Sequence, residues 1–321
     1  MNILVLGCGR IGSRHIQSLA KSKDEIKLYA ADSSDDSLDK VNEIFNSVSS
    51  KNIETKLFLI KDITKIRDKI DIVIVASNSK ERSKLIKSVL KNFNPIHIIL
   101  EKVLFNKIND YKNFNDIFNK ISTKVWVNQY MGYEFSFLSK YLNVNKKFKM
   151  RVSGNWGLCC NSVHFIEIFH HLCDRTELIL KDSSLHNECI DSKREGYYEL
   201  FGKIIIGSAQ HNELILDCTP NVPENVINIE VETDSSQLKD VWVDEHHNCI
   251  FKKGNKILKE RYYVRRQSER TLEIIESLLK YDECKLPLYH LSSYHHLLIL
   301  NLFKKTFNKL GIDTSKGIPI T

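Results

Sequence analysis

The stretch LVLGCGRIGSRHIQSL, Leu4 to Leu19, sets three glycines, Gly7, Gly9 and Gly12, between an apolar run and an amphipathic one. Met1 to Leu6 has the length and β-branched content of a buried parallel strand, and Ile11, Ile16 and Leu19 then recur at helical spacing. The pattern predicts a strand, a tight turn and a helix. At such a junction Gly7 permits the turn, Gly9 has no Cβ to block an approaching pyrophosphate, and Gly12 lets helix and strand pack closely. The N–H groups of the new helix then face the anion, so Gly7, Gly9, Arg10, Ile11 and Gly12 are expected to bind it.

A glycine turn alone is a weak signal, because such turns also occur where nothing binds. Here a second apolar run, Ile26 to Ala31, ends in Asp32, twenty residues after Gly12. An acidic side chain at that spacing accepts hydrogen bonds from an adenosine ribose. Ser33, Ser34, Asp35 and Asp36 follow, with no arginine placed to hold a 2′-phosphate, which Asp32 would repel. The expected cofactor is therefore NAD, with NADP disfavoured.

The alternation of short apolar runs and amphipathic segments continues through Leu57 to Ile60, IDIVIVAS, Ile70 to Ser77, and IHIIL, Ile96 to Leu100. This is the rhythm of a doubly wound parallel sheet, in which ligands bind at the carboxyl ends of the strands. Ser77, Asn78, Glu101 and Lys102 are thus expected in the same crevice as the glycine turn. Beyond about Lys124 the pattern changes: VWVNQY reads as a sixth strand, followed by a strand ending near Trp156, a helix from about Asn161 to Cys173, and the alternating runs KIIIGS, ELILDCT, NVINIEVET and KDVWVDE. These read as a mostly antiparallel open sheet, and two helices, roughly Arg266 to Tyr281 and Leu291 to Leu310, follow them. The expected architecture is α/β: a dinucleotide-binding Rossmann domain over 1–123 and an α+β domain for substrate binding and oligomerisation over 124–321.

Composition excludes several classes. Hydrophobic residues make up 42% and charged residues 27% of the 321, as in globular proteins, and no apolar run approaches the ~20 residues of a membrane span. The start lacks a basic leader and enters the first strand at once, so a cytoplasmic location is expected. The net charge of +7 comes from scattered lysines, with short clusters at Lys146 to Lys149 and Lys252–Lys253 and no aromatic interleaving, which argues against nucleic acid. The eight cysteines form no C-x-x-C pair and are expected as free thiols, and no metal-ligand spacing is present.

At the end of the fifth strand the chain reads Glu101-Lys102-Val103-Leu104. With Gly7-Cys-Gly9-Arg-Ile-Gly12-Ser-Arg-His15 this resembles the Gfo/Idh/MocA family of sugar oxidoreductases, whose members carry G-x-G-x-x-G-x-x-H and then E-K-P. Gly154-Asn-Trp-Gly-Leu-Cys-Cys-Asn-Ser-Val-His164-Phe-Ile-Glu167 looks like that family's glycine-rich strand and D-x-G-x-H-x-x-D helix, and Leu286-Pro287 to His295-His296 like its closing helix. Three departures stand out. Val103 replaces the proline, which is expected to loosen the turn; Cys160 takes the aspartate's place; Glu167 takes the later one. A thiol, with a pKa near ~8.5, is a poor general base beside a carboxylate.

The resemblance implies hydride transfer between a nicotinamide and a sugar, nucleotide sugar or polyol, in carbohydrate catabolism or the making of surface-polysaccharide sugars. It places Lys102 at the reacting carbon as orienting cation and His164 as acid or base. Glu167 would orient His164 or contact sugar hydroxyls, and Asn155, Trp156 and Asn161 suit a polyhydroxylated ligand. Trp156 and His164 can equally be core residues, and His170–His171, His246–His247 and His295–His296 read as surface or packing histidines. Ile204, Ile206, Ile227 and Ile229 are expected on a sheet face presented to a second subunit, giving a homodimer or homotetramer. The competing readings are a dinucleotide-binding scaffold that has lost turnover, and a lyase or epimerase with transient oxidation.

Overall fold

Short aliphatic runs, too apolar to leave either face in water, build the first sheet. β1 (Asn2–Leu6), β2 (Lys27–Ala31), β3 (Lys56–Ile60), β4 (Ile72–Val75), β5 (His97–Leu100) and β6 (Lys124–Val127) pair in the order β3-β2-β1-β4-β5-β6, and every pairing is parallel. In the computed structural model the described residues are all but 49–53, 141–146, 225–226, 234–235, 243–247, 254–255 and 264–266, with side chains described outside 140 and 234–268. Between the strands run α1 (Arg10–Leu19), α2 (Asp35–Ser47), α3 (Ser79–Asn92) and α4 (Ile108–Phe118). The chain crosses the sheet between β3 and β4, so the switch point of this doubly wound fold lies where β1 and β4 are neighbours.

The second sheet is formed by β7 (Phe148–Gly154), β8 (Leu178–Asp191), β9 (Tyr198–Ser208), β10 (Glu213–Cys218), β11 (Ile227–Thr233), β12 (Ser236–Trp242), β13 (Asn248–Lys253) and β14 (Lys256–Tyr263). Its order is β14-β13-β12-β11-β7-β10-β9-β8, antiparallel except where β7 meets β10. The one-turn α5 (Met131–Glu134) and the long α6 (Leu158–Leu172) belong with it, and α6 packs on β9 and β10. The last two helices are α7 (Gln267–Tyr281) and α8 (Tyr289–Lys309).

The chain divides into two compact units. The first is Met1–Phe105, Asn109–Asn128 and Arg265–Leu291; the second is Asn106–Ile108, Gln129–Val264 and Ser292–Thr321. β6 completes the first sheet, and the Val127 N–H donates to the Pro287 carbonyl at 3.0 Å. The chain also returns: α7 lies along α1, where the Leu272 N–H donates to Ser18 Oγ at 3.0 Å.

Three of the four isoleucines expected on an intersubunit face lie in the chain's own core, while Ile227 is half-buried. Ile204, Ile206 and Ile229 are buried within the second unit on the side covered by α6, together with Met150, Val152, Leu214 and Leu216. The alternate positions of the same strands include the charged pairs Lys149 with Glu213 at 3.2 Å and Arg151 with Asp217 at 3.1 Å. Alternation therefore assigns the aliphatic face to the chain's own core. The seven cysteines with described side chains are free thiols, and no described helix is long and apolar enough to cross a membrane. Cys249, His246–His247, Lys146 and Lys252–Lys253 lie outside the described side chains.

Candidate functional site

Each glycine of the opening turn has its own reason in the structure. Gly7 has φ +90°, and a Cβ there would meet the Ser77 backbone nitrogen at 2.9 Å, which brings the β1–α1 and β4–α3 turns against each other. A Cβ on Gly12 would stand 1.8 Å from the Gly7 carbonyl oxygen. Gly9 differs, since its φ is −65° and a Cβ would meet no atom within 4 Å. The fold needs glycine at positions 7 and 12; at 9 the missing side chain leaves open space before the first turn of α1. No side chain caps that helix and no acid occupies its first turn, so the N–H groups of Arg10, Ile11 and Gly12 present partial positive charge there. This cradle fits a pyrophosphate.

Asp32 reaches the same turn. Its Oδ2 accepts from the Cys8 N–H at 2.7 Å and its Oδ1 from the Ser34 N–H at 3.0 Å, which aims the carboxylate from the end of β2 toward the glycines. Each oxygen keeps a lone pair for a ribose hydroxyl. Cys8 itself is buried, and burial, reinforced by Asp32, pushes its thiol up to about 12, so it is inert. Asn78 serves the fold by capping α3, accepting from Lys80 N–H at 3.1 Å and Glu81 N–H at 3.0 Å.

Glu101 is buried with its Oε1 bonded to His15 Nε2 at 3.0 Å and to the Asn128 amide, while His15 Nδ1 lies 2.9 Å from Thr271 Oγ1. Burial pushes the Glu101 carboxyl up, but the bonds from His15 and Asn128 and the charge of Arg82 outweigh it and hold the group below the usual range. The histidine of the opening motif is thus a partner of the glutamate beside Lys102. Lys102 is partly exposed at the mouth of β5, and the turn that follows is anchored despite the absent proline: Val103 is buried, and Arg82 donates to the carbonyls of Val103 and Leu104.

In the second unit, α6 follows Gly157, which has φ +77° and, lacking a side chain, gives the helix no cap of its own. Glu199 of β9 supplies one, its Oε2 accepting from the Cys159 N–H at 2.7 Å. Asn161 donates to the Trp156 carbonyl and Asn155 to the Val222 carbonyl at 3.1 Å, so both amides brace the helix start. Trp156 is buried and packs edge-on against Phe165 at 4.8 Å, the core alternative for that residue. His164 is 8% exposed, with its ring 5.4 Å from that of Tyr130.

Glu167 is buried on α6. Both carboxylate oxygens are held by Arg175, at 2.6 and 2.8 Å, and Oε2 also faces His295 Nδ1 at 3.2 Å. His295 Nε2 in turn meets His170 Nδ1 at 2.8 Å. His295 Nδ1 also lies 3.3 Å from Gln129 Nε2. Gln129 ties this cluster to α6 and α8 by donating to the Val163 carbonyl and accepting from Ser292 Oγ at 2.6 Å. His170, His295 and His296 are packing histidines, as one reading of the sequence had it.

Burial lowers the His170 imidazole to about 4, helped by the Arg175 charge. The unfolded chain binds that proton near ~6.5, so the stability owed to neutral His170 is full above that pH and is lost as pH falls toward 4. A urea series from pH 6.5 to 4.5 is expected to show this loss, and His170→Asn to flatten it by about 2 kcal/mol at pH 4.5. An unchanged slope would refute the assignment.

Sequence reasoning missed Arg82, Gln129, Glu199 and Arg175. Arg82 had a readable signal: Ser79, Arg82, Ile86 and Val89 form the buried stripe of α3, so a charge falls on the apolar face. The others become visible only when distant segments meet.

Sheet order, glycine turn and Asp32 together define a doubly wound dinucleotide-binding unit joined to a mixed α/β unit. Residues 1–129 match the model of a family described as oxidoreductases with an NAD-binding Rossmann fold, GFO_IDH_MocA. Solved structures share the fold over nearly the whole length. The oxidoreductase from Agrobacterium radiobacter, in complex with NAD+, L-tartaric acid and magnesium, is 12% identical with a TM-score of 0.69, covering 93% of this chain and 94% of that one. The 3-ketoreductase KijD10 from Actinomadura kijaniata, with NADP and TDP-benzene, is 12% identical at TM-score 0.68, covering 95% and 97%. The transcriptional regulator Gal80p from Kluyveromyces lactis is 11% identical at TM-score 0.64, covering 96% and 92%. No curated protein sequence matched.

Proposed function

We propose that this chain is an NAD-dependent oxidoreductase acting on the CH–OH group of a sugar, nucleotide sugar or polyol. The observation that carries the cofactor is the pairing of Gly9, whose lack of a side chain nothing in the fold requires, with an Asp32 carboxylate bonded to the same turn. When bound, the nicotinamide gives or takes the hydride, and the protein's share is to orient the substrate and move the hydroxyl proton. In this reading Lys102 supplies the orienting positive charge and His164 the acid or base. Cys160 brings no carboxylate to the helix, so the proton passes through His164. The positive net charge helps to attract an anionic substrate, and the likeness to a 3-ketoreductase solved with TDP-benzene supports a sugar nucleotide.

Calorimetric titration with NADH and NADPH tests the cofactor. NADH is expected to bind at least about tenfold more tightly, a gap of about 1.4 kcal/mol, because Asp32 repels the 2′-phosphate. Asp32→Ala should close that gap; failure of the wild type to bind either nucleotide ends the reading. A second reading, a dinucleotide-binding regulator without turnover, is supported by Cys160 in the aspartate's place and by the likeness to Gal80p. Turnover of NADH with a keto sugar, abolished in Lys102→Ala and His164→Ala, separates the two. A cytoplasmic, homo-oligomeric protein remains part of the proposal, with sedimentation velocity as the check on assembly.

A further inference from the structure

Arg82 is 1% exposed, a rare state for an arginine, and its donors converge on backbone carbonyls of two separate turns. One guanidinium nitrogen donates to the Val103 carbonyl and to the Leu104 carbonyl at 2.9 Å, and the other to the Ser77 carbonyl. Ser77 ends the segment leaving β4, and Val103 and Leu104 follow Lys102 at the end of β5. In a sheet of order β3-β2-β1-β4-β5-β6, one mononucleotide half lies over β1 to β3 and the other over β4 to β6. Asp32 and the glycine turn therefore belong to the adenosine half, and the two turns joined by Arg82 to the half that takes the nicotinamide. A planar fork with several fixed donors can lock two such turns together, where a lysine's single ammonium cannot.

From this geometry we propose that Arg82 is a positioning residue for the nicotinamide half of the cofactor site, holding the Ser77 turn and the Lys102–Val103 turn in register. Its buried charge also faces that of Glu101, the residue before Lys102, so the pair keeps a cation and an anion in balance beneath the site. The proposal rests on the NAD reading above. It concerns only the half of the ligand beyond the pyrophosphate, and this makes it separable.

The test compares ADP, which lacks the nicotinamide half, with NADH by calorimetry on the full chain and on Arg82→Met. Wild type should bind both, NADH more tightly. In Arg82→Met the ADP affinity is expected to stay within about threefold while NADH weakens at least about tenfold, the split a loss of register over β4 and β5 produces and a general loosening does not. Equal weakening of both ligands, or of neither, overturns the proposal. Wild type that binds neither ligand overturns the NAD reading and the proposal with it. If Arg82→Met fails to fold, Arg82→Lys, which keeps the charge and gives up the fork, reads the same split under the same criteria.

Discussion

Gly12→Ala is expected to destabilise the protein by about 4 kcal/mol, beyond the usual range for overpacking, because the new methyl meets backbone that cannot swing aside. Its Cβ would lie 1.8 Å from the Gly7 carbonyl oxygen and 2.9 Å from the Gly7 carbonyl carbon. Relief requires α1 to lift from β1, and Gly7 is itself pressed against Ser77, so the displacement reaches the β4–α3 turn. Gly9→Ala is the matched control. The added methyl enters open space at an ordinary φ, so the urea midpoint should hold within about 0.5 kcal/mol while NADH affinity falls at least about tenfold. One substitution reads the fold, the other the ligand. A stable Gly12→Ala, or a Gly9→Ala that binds NADH as wild type does, would contradict this division.

The second large effect concerns Arg175. Asp174 and Arg175 have φ values of +47° and +60°, a left-handed pair of non-glycine residues that turns the chain back at the end of α6 and brings the guanidinium onto Glu167. Glu167 is 2% exposed, and burial pushes its carboxyl up against the opposing pull of Arg175. Arg175→Met removes that pull and strands a buried carboxylate, at a cost of about 3 kcal/mol, the lower end for a broken buried pair because proton uptake relieves part of it. The sign with pH follows. A carboxyl whose folded pKa is raised favours the folded state most at low pH and loses that contribution as pH rises through the folded value. Arg175→Met should therefore be closer to wild type at pH 5 than at pH 8, by urea unfolding. Adding Glu167→Gln should restore part of the loss at pH 8, since the charge is then gone; a strictly additive double variant would show that the two residues are not coupled.

Much of the first unit was legible because its determinants are local. The glycine spacing and the apolar strands act on near neighbours, the Cβ clash at Gly12 involves a residue only five positions away, and Asp32 was legible from its fixed spacing after the glycines. In the sequence β6 looks like any short strand, and only its pairing with β5 shows which sheet it joins. The return of α7 onto α1 is also a matter of packing between residues some 250 positions apart.

The second unit was read less well. Its alternating strands were recognised, but alternation says that one face is apolar and not what covers it. Of the isoleucines assigned to a partner, Ile204, Ile206 and Ile229 are buried in the core of the same chain. Glu167 looked like a ligand-binding acid because its spacing from His164 matched a motif. Its carboxylate went to Arg175 and His295, one eight residues on and the other from α8.

By itself the sequence determined the parallel doubly wound sheet, the anion-binding turn and the acid at the end of β2, since hydrophobic period and backbone freedom act over a few neighbouring residues. Tertiary structure alone decided which polar side chains remain for chemistry. A buried carboxylate or guanidinium must be neutralised by whatever the fold brings beside it, and Glu101 with His15, Glu167 with Arg175 and Arg82 with three carbonyls are bound by that requirement.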